Sequence, residues 1–284
     1  MYKILVTGSE GQLGSHLKII SKEFNDYKYF FTDKNELDIC NKELVFKFIN
    51  DNQINIIINC AAYTAVDKAE TEYKLANKIN HNGVKNLGLA AKKYLCKLIH
   101  ISTDYVFDGT KKIAYTEQDI TNPLSIYGKT KLAGEEALKI INPKNCIIIR
   151  TSWIFSKIGK NFVNTMIKLG RVRNEINVVG DQIGSPTYAL DLAKMILQII
   201  PKVRNTTTTT FHYTNDGFCS WADFATEIFK ISTINCKVNS ITSLDYPSIV
   251  KRPFFSVMDK TKIKKKFGLK IPKWEESLNK MLNN

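Results

Sequence analysis

No apolar run in this 284-residue chain approaches the roughly 20 residues that a membrane-spanning helix needs. The apolar stretch within residues 1–8 is too short for a secretory leader and runs at once into a glycine motif, so a cytoplasmic location is expected. Cysteines are few and scattered, at positions 40, 60, 96, 146, 219 and 236, with no CxxC pair and no His–Cys cluster at zinc spacing. That argues against a metal site or a dithiol redox centre and makes them small apolar residues of a reducing compartment. No repeat recurs along the chain, which excludes solenoids and arrays. Acidic residues are outnumbered, 27 against 41 basic ones, for a net charge of +14. The lysines are nonetheless spread and interleaved with acids, and only residues 262–266 form a dense run, on what reads as the polar face of a short helix. Nucleic-acid binding is therefore not expected, and the charge reads as a solvated surface that attracts an anionic substrate.

What is present is ordinary globular composition, 44% hydrophobic and 24% charged. The first part alternates short β-branched runs (2–6, 29–32, 54–58, 97–101 and 146–150) with helical patterns (12–23, 42–50, 70–94 and 125–140). The strands are apolar almost throughout, as in a parallel sheet covered on both faces, so the spacing predicts an α/β, doubly wound parallel sheet of Rossmann type. Asn41 and Thr71 are the expected helix starts. After about residue 155 the rhythm loosens into helices at 162–169, 189–200, 221–231 and 274–282, with short strands at 176–179 and 211–213 and a low-complexity loop at 205–210. The expected organisation is a dinucleotide-binding lobe, 1–155, and a smaller substrate-binding lobe, 156–284, interleaved with the first.

Strand one ends in Thr7-Gly8-Ser9-Glu10-Gly11-Gln12-Leu13-Gly14, and a helix follows directly. Gly8 permits the tight turn, Gly11 a close approach to pyrophosphate, and Gly14 the packing of helix on strand; Gln12 and Leu13 belong to the same cofactor-binding turn. The spacing is GxxGxxG, not GxGxxG, and its weight comes from the strand–turn–helix context. Asp33, at the end of the second strand, stands where an acid bonds the adenosine ribose, while the adjoining Lys34 offsets its repulsion of a 2′-phosphate. NADPH and NADH both remain open. Asp38 and Ile39 lie where they would hold the adenine, although Asp38 reads equally well as a helix cap.

Tyr127 and Lys131 are four residues apart on an expected helix and so face the same way. Reduction of a ketone needs a proton at oxygen as hydride reaches carbon, and an ammonium beside a phenol is expected to draw its pKa down from about 10. Thr103, at the end of a buried strand, supplies a second hydroxyl for the same oxygen.

With these residues the chain resembles the extended short-chain dehydrogenases/reductases over essentially its full length. Further segments carry the likeness: residues 59–70, 80–83 (Asn80-His81-Asn82-Gly83), 102–109, 150–153, 180–187 and 252–259. The resemblance implies reduction by NADPH or NADH of the C4 ketone of dTDP-4-dehydro-L-rhamnose to dTDP-L-rhamnose, with Thr103, Tyr127 and Lys131 catalytic. It implies that Ala61, Ala62 and Tyr63 line the nicotinamide side and that Asn80 organises the site. Trp153 would stack on the sugar, Asn161 and Phe162 would hold the nucleotide diphosphate, and Asp104, Tyr105, Gln182, Thr187 and Arg252 would shape the rest of the substrate pocket.

Dehydratases of this group carry Thr-Asp-Glu, whereas this chain has Tyr105 in the place of the glutamate, which favours plain reduction. The alternatives are another nucleotide-sugar reductase or epimerase of the same fold, or a non-catalytic regulatory binding subunit; the latter usually lacks part of the Thr/Tyr/Lys set. Some relatives dimerise through metal-bridging carboxylates. This chain has His16 and Leu190 at the matching places, so a monomer or weak homodimer without metal is expected, with no membrane or nucleic-acid partner.

Overall fold

A computed structural model describes residues 1–246 and 248–283. Its centre is a six-stranded sheet in the order β2–β1–β3–β4–β5–β7, every neighbouring pair parallel. The strands are β1 (Tyr2–Thr7), β2 (Tyr27–Thr32), β3 (Ile56–Asn59), β4 (Lys97–Thr103), β5 (Cys146–Thr151) and, beyond a short strand β6 (Glu175–Val179), β7 (Thr209–His212). Strand order reverses between β1 and β3, which opens a crevice at their C-terminal ends. The fold is the doubly wound α/β arrangement expected from the alternating pattern.

Alternation along each strand divides the interior into two layers. Ile4 and Val6 point to one face, where they meet Leu13 and Leu17 of α1 (Gln12–Ile20). Leu5, Ile57, Leu98 and Ile148 point to the other, against Val45 of α2 (Lys42–Asn52) and other helix residues. All are almost wholly buried, and each such side chain contributes about 1.5–3 kcal/mol. Asn41 caps α2 by accepting from the Leu44 amide.

The expected helix over 70–94 is broken. A short α3 (Tyr73–Asn77) passes through a π turn, Lys78–Gly83, into α4 (Val84–Tyr94). Thr71 does not start it; its hydroxyl bonds the Lys68 carbonyl at the end of a separate helical turn, Val66–Ala69. Next comes α5 (Ile126–Ile141), capped by the Ser125 hydroxyl, which accepts from the Gly128 amide.

The remaining chain both completes the sheet and builds beyond it. Part of the expected loop at 205–210 is strand, because Thr209–His212 pairs with Ile147, Ile148, Ile149 and Arg150. Helix α7 (Ala189–Ile199) covers α1, while α6 (Phe162–Gly170) and α8 (Trp221–Ile231) enclose a further core of Phe155, Val163, Phe224 and Trp274. Strand β6 pairs in parallel with β8 (Lys237–Ile241). The lysine-rich run falls on α9 (Thr261–Phe267), and α10 (Trp274–Asn283) follows it. Among the described residues no helix is long and apolar enough to cross a membrane. All six cysteines are free thiols, four of them buried and Cys40 and Cys60 partly so.

Candidate active site

The crevice at the strand ends is a cleft of about 800 Å³. Its floor is the glycine turn. Gly8 has φ +66°, and a Cβ there would lie 2.7 Å from the backbone of Ala61; one on Gly14 would lie 2.4 Å from the Gly8 carbonyl. Side chains are therefore excluded where strand, turn and helix converge, leaving backbone N–H groups and the start of α1 open to an anion. Asp33, Lys34, Asp38 and Ile39 line one end of the cleft, and Ala61 and Ala62 its middle. Asp38 closes a turn by accepting from the Cys40 amide (2.9 Å). This donor set fits a dinucleotide: backbone donors for the pyrophosphate, a carboxylate for a ribose, and apolar walls for the rings.

Thr103, Asp104, Tyr105, Tyr127, Lys131 and Trp153 line the other end. Tyr127 and Lys131 share a side of α5 and are both buried. The Tyr105 ring stands edge-on to Tyr127, with centroids 5.5 Å apart. Burial pushes the Tyr127 phenol up to about 12, a hydrogen bond with Thr103 opposes the rise, and the Asp104 charge adds to it. The expected lowering by Lys131 is absent, and the Lys131 ammonium donates instead to the Ile101 carbonyl (2.6 Å). Burial lowers Lys131 to about 8, against the pull of Glu135 and Cys60. The Thr103 hydroxyl donates to Asp104 (3.1 Å) and accepts from the Tyr105 amide (3.2 Å). Burial raises Asp104 to about 6, with Ser256 and Thr103 among the hydrogen-bonding groups that restrain it.

Asn80, in the π turn, is fully buried. It accepts from the Tyr63 amide (2.8 Å) and donates to the Tyr63 carbonyl and the Thr130 hydroxyl (both 3.1 Å). It thus ties the cleft wall after β3 to α5.

A second cleft, about 680 Å³, lies between α6, β6 and α8, lined by Phe162, Gln182, Trp221, Arg173 and Arg252 among others. Trp153 of the first cleft stacks on Trp221 of the second at 3.4 Å and 8°. Arg252 bridges to Asp67 (2.9 Å).

The two residues expected at one diphosphate subsite are thereby separated. Asn161 caps α6 and donates to Gln12 (3.0 Å) beside the glycine turn, whereas Phe162 faces the second cleft. Two others line neither cleft: the Tyr63 hydroxyl bonds Glu72 (2.7 Å), and Thr187 is fully buried against Thr151, its amide donating to the Trp153 carbonyl. His16 is buried edge-on to Tyr188, and Leu190 packs at the margin of the core. Among the described residues no group of three or more His, Cys, Asp or Glu could hold a metal.

A family model described as "RmlD substrate binding domain" matches residues 2–284. The chain belongs to this family. It is 43% identical over 287 residues to a dTDP-4-dehydrorhamnose reductase of Aggregatibacter actinomycetemcomitans, covering 98% of this chain and 97% of that protein. Among solved structures it resembles a dTDP-4-dehydrorhamnose reductase of Clostridium acetobutylicum, with a TM-score of 0.94, 44% identity, and coverage of 99% of this chain and 98% of that one. The enzyme of the same name from Bacillus anthracis, solved in complex with NADP, gives a TM-score of 0.92 at 39% identity, with 99% and 98% covered.

Several residues of this family member were not singled out from sequence. Trp221 gave no signal before its stacking on Trp153 was visible. Glu135 lies one helical turn beyond Lys131 and was legible by the same spacing rule that picked out Tyr127 and Lys131. Its partner Arg150, on β5, lies in the segment 150–153 that carries the likeness, but the pairing of the two was not legible.

Proposed function

We propose that this chain reduces the C4 ketone of dTDP-4-dehydro-L-rhamnose to dTDP-L-rhamnose, using NADPH or NADH. The observation that carries the proposal is the meeting of Thr103, Tyr127 and Lys131 at one end of a cleft whose other end fits a dinucleotide. Full-length similarity to reductases of that name supports the substrate, and the NADP-bound relative supports the cofactor class.

Gly8, Gly11, Gln12, Leu13 and Gly14 hold the pyrophosphate, and Asp33 the adenosine ribose, with Lys34 adjoining it. Asp38 and Ile39 flank the adenine; Ala61 and Ala62 line the nicotinamide side. The reduced nicotinamide supplies hydride to the carbonyl carbon. Tyr127, protonated at neutral pH because its pKa lies near 12, gives its proton to the carbonyl oxygen. An alkoxide is a far stronger base than a phenolate, so this transfer runs downhill once charge develops on oxygen. Thr103 supplies the second hydroxyl at that oxygen. Lys131 places an ammonium behind the tyrosine, where it stabilises the phenolate left after transfer and bonds the nicotinamide ribose.

The second cleft takes the nucleotide. Phe162 and Trp221 offer aromatic faces to the base, Arg173 and Arg252 offer charge to the diphosphate, and Gln182 a polar contact. Trp153, Asp104 and Tyr105 enclose the sugar between the two clefts. Tyr63 and Thr187 act by holding backbone, and Asn161 by fixing Gln12.

The purified protein is expected to oxidise NADPH or NADH with dTDP-4-dehydro-L-rhamnose at a kcat/KM at least roughly ten-fold above that with the UDP-linked 4-keto sugar. Turnover only with a different 4-keto sugar nucleotide would retain the chemistry and overturn the substrate.

A further inference from the structure

Tyr127, Lys131 and Glu135 follow one another at four-residue intervals along α5 and share one side of it. That side is fastened to two successive residues near the end of β4. The Lys131 ammonium donates to the Ile101 carbonyl (2.6 Å) and the Ser102 hydroxyl donates to Glu135 (2.5 Å). Glu135 also receives a fork from Arg150, with Nε at 2.9 and 3.2 Å and Nη2 at 2.7 Å. Ser102 and Arg150 are themselves register partners across β4 and β5. Glu135 and Arg150 are buried to 0% and 1% exposure, and Arg150 lies over the Phe107 ring at 5.0 Å.

A buried ion pair contributes little to stability that apolar side chains of equal volume would not. Its position suggests another use. Lys131 is wholly buried and needs a counter-charge to stay an ammonium. Around it stand Cys60 at the end of β3, His100 on β4 and Glu135 on its own helix. Burial keeps the Cys60 thiol protonated, and burial together with Lys131 keeps His100 neutral. Arg150 on β5 and Lys139 on α5, 3.7 Å from Glu135, are cations. Glu135 is the anion of this group, held ionised chiefly by Arg150 and Ser102 against the cost of burial.

We propose that Glu135 is a positioning residue acting through Lys131: it keeps the lysine charged and, with Ser102 and Arg150, fixes the register of the catalytic helix on β4. The inference rests on the role given to Lys131 above. Its sign follows from the charges. Removing the Glu135 carboxylate removes the larger of the two influences that raise Lys131, so the ammonium is lost at lower pH.

The test is the pH dependence of kcat/KM for the parent, Glu135→Gln, the double variant Glu135→Gln/Arg150→Met and Lys131→Met. The alkaline limb is expected to move down by about one pH unit in Glu135→Gln, a loss of about ten-fold in rate above the limb. The double variant, which leaves no unpaired buried charge, is expected to melt nearer the parent than the single variant does while keeping the displaced limb. It decides the matter if the single variant does not fold. A limb at the parent's pH, with only a uniform fall in rate, overturns the proposal and leaves Glu135 a structural residue. Lys131→Met with the parent's rate and limb would instead overturn the role of Lys131 itself.

Discussion

Asp104 shows how one side chain can be kept at a cost in stability. It is 2% exposed, Thr103 donates to one of its oxygens, and the other has no partner among the described residues. Burial raises its pKa to about 6 from the 3.8 of a free aspartate. An acid whose folded pKa is raised favours folding in its protonated form, so the penalty is absent below about pH 4, grows as pH rises from about 4 to 6, and is nearly constant above that. Asp104→Asn is expected to raise the unfolding free energy at pH 8 by on the order of 3 kcal/mol, the gain shrinking below pH 6 and vanishing near pH 4. Thermal melts of parent and variant across that range check it. A difference in Tm that stays constant with pH contradicts the assignment of the charge.

Among the elements, the π turn before α4 is where local pattern and tertiary structure disagree. The alanine-rich apolar spacing over 70–94 read as one helix, and most of it is helical. The interruption was not legible, because it is set by contacts that Asn80 makes with Tyr63 and Thr130, 17 and 50 residues away. Insertions of this kind recur at functional sites. The strand ends were under-read for a similar reason. The strand runs read as ending at 101 and 150, although Thr103 already reads as lying at a strand end, and ladder pairing carries β4 through Thr103 and β5 through Thr151 to the cleft. Asn80→Ala strips three hydrogen bonds, one from buried Thr130 and two from the partly buried Tyr63 backbone, and is expected to cost about 2–4 kcal/mol. It also frees the wall that carries Ala61 and Ala62, so cofactor affinity is expected to fall roughly ten-fold. Titration of cofactor fluorescence checks this; parent affinity in a folded Asn80→Ala protein contradicts the role given to that tie.

On the scale of the whole molecule, the sheet, the glycine turn and the Thr103–Tyr127–Lys131 set were legible because they are written in local periodicity and short spacings. The partition between clefts was not. Trp153 and Trp221 are 68 positions apart, and nothing local predicts that their indoles stack. Strand β7 was seen only in part, because the threonine run before it reads as loop until its pairing with β5 is known. The positive excess is not concentrated in either cleft, but each carries cations: Lys34, Lys78, Lys131 and Lys160 line the first beside Glu10, Asp33, Asp38 and Asp104, and Arg173 and Arg252 line the second beside Glu175. Both clefts therefore suit the phosphate-bearing molecules proposed for them. The most direct test of the central claim is oxidation of NADPH with dTDP-4-dehydro-L-rhamnose by the parent and by Tyr127→Phe. A fall in kcat of at least about 100-fold with KM little changed is predicted for loss of the proton donor, whereas equal kcat values for the two proteins would contradict it.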